Sequence, residues 1–248
     1  MLTVFRPVAV VAALALICTV ARAEGPQGYL PAGAIDAARV VGPPPEAGSA
    51  AEAADIAAYR DAAAAVGTQR WIEARADDDL EMRVVLKRYA CAVNAELSPV
   101  TSPATVRVLE RTMMDASVVS GAAKTAYHRP RPFAADDPAA PLCIDVPAER
   151  RANPSFSYPS GHGTLGMLWG LVLTEAAPDR AGPIAERSRS FIESRQVCRV
   201  HYPSDLRAAE RLGASIFARL QSSPEFQADL AAAKAEIAAA PVPQDCPR

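Results

Sequence analysis

Aromatic side chains are scarce in this chain, at 6% of 248 residues, histidine occurs only three times, and neither sign of charge prevails. With 26 basic against 28 acidic side chains, the formal charge is −2. There is no basic excess to displace counterions from a nucleic acid, and no acidic block that would behave as a disordered brush. Long apolar runs are missing as well. The best candidate, residues 7–20, spans 14 positions, short of the roughly 20 that cross a bilayer as a helix. Histidine and cysteine are too scattered for a zinc site. The composition therefore points away from nucleic-acid binding, from a membrane-embedded chain and from a metal centre.

Alanine supplies about a fifth of the residues, and an alanine-rich chain punctuated by leucine favours helix over sheet. The length suits one domain with a sizeable core, and neither a repeat nor a strand pair is evident. The expected fold is an all-α, single-domain helical bundle. Residues 1–23 have the order of a secretory signal peptide: a basic Arg6, the apolar stretch, then Ala21-Arg22-Ala23 with small residues at −3 and −1 of a cut before Glu24. Removing them takes away two arginines, leaving a charge of −4 and four cysteines, Cys91, Cys143, Cys198 and Cys246. An even number in an exported chain points to two disulfides, with three pairings open, and to a periplasmic or secreted protein that does not engage the membrane after cleavage.

Residues 24–49, rich in Pro and Gly and including Pro43-Pro44-Pro45, read as an extended arm. The domain proper should run over 50–240, followed by a Pro-rich tail at 241–248. Helices are expected at 50–66 and at 68–94, the second broken near Asp77-Asp78-Asp79, with Val85, Tyr89 and Ala92 facing inward. Ser102-Pro103 has the form of a helix start; behind it Val106, Leu109, Met113, Ala116 and Ser120 share one face. Residues 129–159 hold seven prolines and read as a long loop, which inside a compact domain is usually functional. A helix over 161–176 is apolar nearly all round and should be central. Three more fit 184–200, 204–220 and 224–240.

Chemistry concentrates around two of the histidines. His162 follows Pro159-Ser160-Gly161 at a helix start, where unpaired amides and the positive end of the helix dipole make an anion site. His201 lies four residues before Asp205, a spacing that sets imidazole beside carboxylate on one helical face. Lys124, Arg129, Arg131 and Arg195 supply cations nearby. Guanidinium forks bind phosphate oxygens bidentately and lysine adds a point charge. A carboxylate on Nδ1 leaves Nε2 free as a nucleophile, and a second histidine can protonate a leaving oxygen. Singly, each feature is an ordinary cap, surface charge or structural histidine; together they describe phosphoryl transfer.

Lys124 with six residues before Arg131-Pro132, then Pro159-Ser160-Gly161-His162, then Ser194-Arg195, His201 and Asp205 resemble the three-part signature of the type 2 phosphatidic acid phosphatase superfamily. Within it the chain is most similar to the bacterial class A nonspecific acid phosphatases, through the export signal, Pro43-Pro44-Pro45 with Gly48-Ser49, residues 127–133, Ser157-Tyr158 and Cys198. Phe156 and Gly163 depart from that pattern. The resemblance implies His201 as nucleophile, Asp205 as its orienting partner and His162 as general acid. Lys124, Arg131, Arg195, Ser160 and the Gly161 amide would form the phosphate cradle, with no metal and no cofactor. It further implies small-molecule phosphate monoesters as substrates, inorganic phosphate or vanadate as inhibitors, and a homo-oligomer as one form the chain could take. A vanadate-dependent haloperoxidase using the same cradle is the alternative. Because His162 must carry its proton, and an unperturbed imidazole titrates near 6.5, an acidic optimum is expected. Of the open pairings, Cys143 with Cys198 would tie together two walls of the site and leave Cys91 for Cys246.

Overall fold

The computed structural model describes residues 27–246; the expected export signal at residues 1–23 lies outside them. Among the described residues the structure is helical without strands: α1 (Ala37–Val41), α2 (Ala50–Asp61), α3 (Gln69–Ala76), α4 (Met82–Val93), α5 (Pro103–Tyr127), α6 (Pro132–Ala135), α7 (Ala148–Ala152), α8 (Gly161–Ala176), α9 (Ala181–Val197), α10 (Pro203–Leu220) and α11 (Pro224–Ala239). None of these is long and apolar enough to cross a membrane.

The most apolar helix is the central one. α8 packs against α5, α9, α10 and α11, and buries Leu165, Leu168, Trp169, Val172 and Leu173. The polar edge of Trp169 is satisfied by donating Nε1–H to the Leu109 carbonyl at 3.0 Å. On α5 the buried face lies beside the expected stripe. Leu109, Ala116 and Ser120 are buried, but Val106 and Met113 are only partly so, and Thr105, Val108, Thr112 and Val119 fill the centre. Buried threonines are tolerated there because they find partners; Thr112 Oγ1 donates to the Val108 carbonyl at 2.8 Å.

Glycine sets how closely α8 meets its neighbours. A Cβ on Gly166 would lie 2.7 Å from the Phe191 ring on α9, and one on Gly163 would lie 2.8 Å from Ala209 Cβ on α10. On the facing helix, a Cβ at Gly213 would meet the Thr164 carbonyl at 2.6 Å. The α8–α10 seam is thus backbone against backbone, and it fixes the start of α8 relative to the start of α10.

Two segments are more ordered than their proline and glycine content suggests. The region expected as an extended arm contains α1, whose Ala37 and Val41 are buried. A helix this short does not stand alone; tertiary donors hold its carbonyls. Tyr127 Oη donates to Ala38 at 2.8 Å, and Tyr158 Oη and Arg211 Nη2 donate to Val41. Upstream, the Tyr29 and Leu30 amides donate to Asp115 at 3.0 and 2.9 Å. The loop over 129–159 likewise carries α6 and α7. Disulfides join Cys143 to Cys198 and Cys91 to Cys246. These are the pairs suggested by the motif positions, one binding the long loop to the end of α9 and the other binding the tail to α4.

Because the atom opposing Gly213 is main chain, it cannot yield as a side-chain tip would. Gly213→Ala should destabilise the fold by about 1–3 kcal/mol through overpacking, read as a lower urea midpoint with an unchanged slope. An unaltered midpoint would mean that α8 and α10 lie further apart than described.

Candidate active site

The site forms where α8 and α10 begin. Ser160 is the N-cap of α8, and its Oγ accepts from the Gly163 amide at 3.1 Å. The hydroxyl proton is left to donate elsewhere. The first amides of the helix, those of Gly161 and His162, lack intrahelical acceptors, as in any α-helix. The Ser160 amide donates to the Asp205 carbonyl at 3.1 Å, joining the two helix starts directly.

His201 and Asp205 come together, though not on a helical face as their spacing suggested. His201 precedes α10, whose N-cap is Tyr202, and Asp205 is the third helical residue. Its carboxylate folds back in the manner of a capping box. Oδ2 accepts from the Tyr202 amide at 2.9 Å and lies 3.1 Å from His201 Nδ1. The same interaction that satisfies the helix end therefore places the imidazole. With Nδ1–H donating to Asp205, the Nε2 lone pair is exposed to its other neighbour, Arg131 Nη1, at 3.1 Å.

Asp205 is in turn held by a residue that sequence reasoning treated only as a nearby cation. Arg129 Nη1 donates to Asp205 Oδ1 at 2.7 Å and Nη2 to Asp55 Oδ2 at 2.8 Å. Asp55, from the alanine-rich α2, also accepts from the Ser204 amide at 3.0 Å and from the Ser204 hydroxyl. Nothing in the sequence marked Asp55, since one acid among alanines looks like a solvated helix face; in the fold it is buried.

The other expected cations converge on the same place. Lys124 Nζ donates to the Phe156 and Ser157 carbonyls at 2.6 and 3.1 Å. Arg131 donates to Ser155 and to the Val200 carbonyl besides facing His201. Arg195 is 3% exposed and meets Asp78 Oδ1 at 2.9 Å, while its Nε finds no hydrogen-bond partner among the described residues. Its sequence neighbour Ser194 is an anchor: its hydroxyl donates to Asp77 Oδ2 at 2.6 Å. Asp77, fully buried, is also bound by Arg88 at 2.5 Å and by Arg187. His162 lies at the edge, with Nε2 3.4 Å from the Asp78 carbonyl and 3.7 Å from Asp78 Oδ1, its ring stacked on Phe191. The Asp77-Asp78 turn was legible only as a helix break.

Packing cations together in a buried pocket lowers the pKa of the lysine, the arginines and the imidazoles that line it. Burial, then Arg131, brings Lys124 down to about 7. Burial, then Arg195, brings Arg131 down to about 10. Both imidazoles fall well below 6.5, His162 through burial and Arg195, and His201 through burial, Arg131, Lys124, Arg195 and His162. Burial raises Asp205, against the opposing pull of Arg129 and the Tyr202 amide. The arrangement is a set of hydrogen-bond donors with neutral imidazoles on either side, in which Lys124, Arg131 and Arg195 outnumber the carboxylates Asp205 and Asp78.

Comparison with known proteins gives a consistent result. The model of the family described as the PAP2 superfamily matches residues 108–224. A non-specific acid phosphatase of Salmonella typhimurium is 35% identical over 196 residues, covering 79% of this chain and 77% of that protein. An acid phosphatase of Zymomonas mobilis is 34% identical over 195 residues, covering 79% and 73%. A non-specific acid phosphatase of Providencia stuartii is 32% identical over 206 residues, covering 83% and 82%.

Arg129 neutralises two buried carboxylates at once. Arg129→Met should leave Asp205 without its arginine and Asp55 with only the exposed Arg207, 3.8 Å away, and destabilise the protein by about 3–5 kcal/mol, measured by chemical denaturation at neutral pH. A loss below about 1 kcal/mol, the range of an exposed pair, would show that Asp205 and Asp55 are neutralised in another way.

Proposed function

Because this chain belongs to the PAP2 superfamily, we propose that its cradle binds the phosphoryl group of a small phosphate monoester and that His201 attacks it to form a phosphohistidine. Its relatives and its family make it a phosphoric monoester hydrolase, and small phosphate esters are its substrates. The observation that carries the catalytic reading is the set of bonds around His201, with Nδ1 on Asp205 and Nε2 facing Arg131, each at 3.1 Å.

In this reading Lys124, Arg131, Arg195, the Ser160 hydroxyl and the Gly161 amide surround the phosphoryl oxygens, and charge building on them is met by fixed donors. Arg131 turns from His201 to a phosphoryl oxygen, freeing the Nε2 lone pair. That lone pair forms a bond to phosphorus as the ester P–O bond breaks, and His162 passes its proton to the leaving oxygen. A water then attacks the phosphohistidine and gives a proton back to His162, and the P–N bond breaks to release phosphate. The two disulfides fit a location outside the cytoplasm. Export by residues 1–23 to the periplasm, together with competitive inhibition by phosphate and vanadate, completes the proposal.

Acid preference follows from the cradle, though not through a free His162 near 6.5. In the ligand-free site His162 lies well below that value, so it is neutral over most of the working range. A bound dianion opposes the field of the cations and raises the pKa of His162, favouring the protonated acid. The falling limb of activity with rising pH should therefore sit at higher pH in kcat than in kcat/KM. Lys124 adds a second reason, because raising the pH past about 7 removes its proton and with it one cation from the free cradle.

Three experiments test these assignments. His201→Ala should abolish p-nitrophenyl phosphate turnover yet still bind inorganic phosphate; unchanged turnover would remove His201 from the mechanism. Halide oxidation with added vanadate and peroxide, exceeding phosphatase activity, would favour the haloperoxidase alternative. In pH–rate profiles the wild type should lose phosphate affinity above pH 7 and show the separated limbs, and His162→Gln should lack the alkaline limb of kcat while keeping the loss of phosphate affinity that Lys124 causes. Coincident limbs, or activity still climbing above neutrality, would contradict His162 as the acid.

A further inference from the structure

The Asp77-Asp78 turn between α3 and α4 is not part of the cradle described above, yet it touches one of its members, Arg195, and the proposed acid, His162. Asp78 Oδ1 lies 2.9 Å from Arg195 Nη1 and 3.7 Å from His162 Nε2. An oxygen on a bound phosphoryl group would need to reach these same two groups. Asp78 is the carboxylate that ion-pairs with Arg195 among the described residues, and the buried Nε and Nη1 of Arg195 make no hydrogen bond there. Its side chain is 37% exposed, so it can turn outward when another anion arrives. The main chain behind it cannot follow, because Asp77 is fixed by Arg88, Arg187 and the Ser194 hydroxyl.

We propose that Asp78 is a specificity-determining residue: a counter-charge that substrate phosphate displaces from Arg195 and that then stands beside the leaving group, favouring esters of uncharged or cationic alcohols. The inference rests on the phosphatase reading above. A displaced carboxylate remains within a side chain's length of His162, and hence of the oxygen that leaves. Charged groups around His162 are Asp78 from the α3–α4 turn, Lys124 from α5, Arg131 from the following loop, and Arg195 from α9. The three cations serve the phosphoryl group, and Arg88 and Arg187 are committed to Asp77. Asp79, whose Oδ1 accepts from the Glu81 amide at 2.9 Å, adds negative charge to the same turn. A leaving group that is itself a phosphate would meet like charge there, the nearby cations Lys124, Arg131 and Arg195 being engaged with the transferred phosphoryl group.

The test compares kcat and KM for p-nitrophenyl phosphate, 2-aminoethyl phosphate and pyrophosphate, and the Ki of inorganic phosphate, in the wild type and in Asp78→Asn, Asp78→Ser and Asp78→Glu. Removing the charge should raise kcat/KM for pyrophosphate relative to p-nitrophenyl phosphate by about 5–10-fold, the scale of one partly screened like-charge contact. The relative preference for 2-aminoethyl phosphate should fall, and phosphate Ki should drop several-fold. Asp78→Glu should restore the wild-type ratios. Substrate ratios do not move when a site is merely loosened, so they separate this role from a structural one, and the Ser variant serves if the Asn variant does not fold. Unchanged ratios in folded variants would overturn the inference while wild-type turnover and competitive phosphate inhibition leave the phosphatase reading standing. A wild type that neither turns over monoesters nor binds phosphate would overturn both.

Discussion

A buried carboxylate, Asp205, is the point on which the geometry of this protein turns. It is the third residue of α10, so folding back to cap that helix is its ordinary local behaviour. It must also be neutralised, since a bare anion in a protein interior is costly, and Arg129 does so from the far side. Arg129 brings Asp55 and therefore α2, while the Asp205 carbonyl receives the Ser160 amide and therefore α8. One residue thus ties three helices and the long loop into the arrangement that holds His201. Orientation of the imidazole is a by-product of making the helix end stable.

Around that point the structure gathers positive charge in a chain whose total charge is slightly negative. Arg195 and His201 are buried, and Lys124 and Arg131 are close enough to depress both imidazoles. Such a cluster stores unfavourable electrostatic free energy that an incoming dianion relieves, so preorganisation and affinity have the same origin. The acidic surplus lies elsewhere or, as with Asp77, is consumed by arginines that do not face the cradle. Net charge was uninformative about the site for that reason: the relevant quantity is a local imbalance that a sum over the chain erases.

Much of this was legible from the residues. Alanine content and apolar periodicity gave the helices within a few positions, because burying one face of an amphipathic helix leaves a regular trace. The resemblance to the three-part signature implied the convergence of Lys124, Arg131, Ser160, His162, Arg195, His201 and Asp205, which recur at fixed spacings within each part. The mode of the His201–Asp205 contact was misread, since an i to i+4 spacing has the same appearance on a helix and across its N-cap. Asp55, Asp78 and the Arg129 pairings were missed because each depends on chain segments far apart in sequence: Asp55 lies 74 residues from Arg129. The short α1 escaped notice because its stability comes from Tyr127, Tyr158 and Arg211, not from its own five residues.

The Cys143–Cys198 bridge has a bearing on when the molecule becomes competent. Cys198 follows α9, the helix that carries Arg195, and Cys143 belongs to the loop over 129–159, which carries Arg131. Two of the guanidinium groups therefore sit on segments joined by a covalent bond as well as by packing. That bond forms where thiols are oxidised and stays open where they are kept reduced. With the thiols reduced, the segments carrying those two arginines are held by noncovalent forces alone; with them oxidised, the segments are locked together. Covalent closure of the fold around these two guanidinium groups thus depends on the redox state of the surroundings.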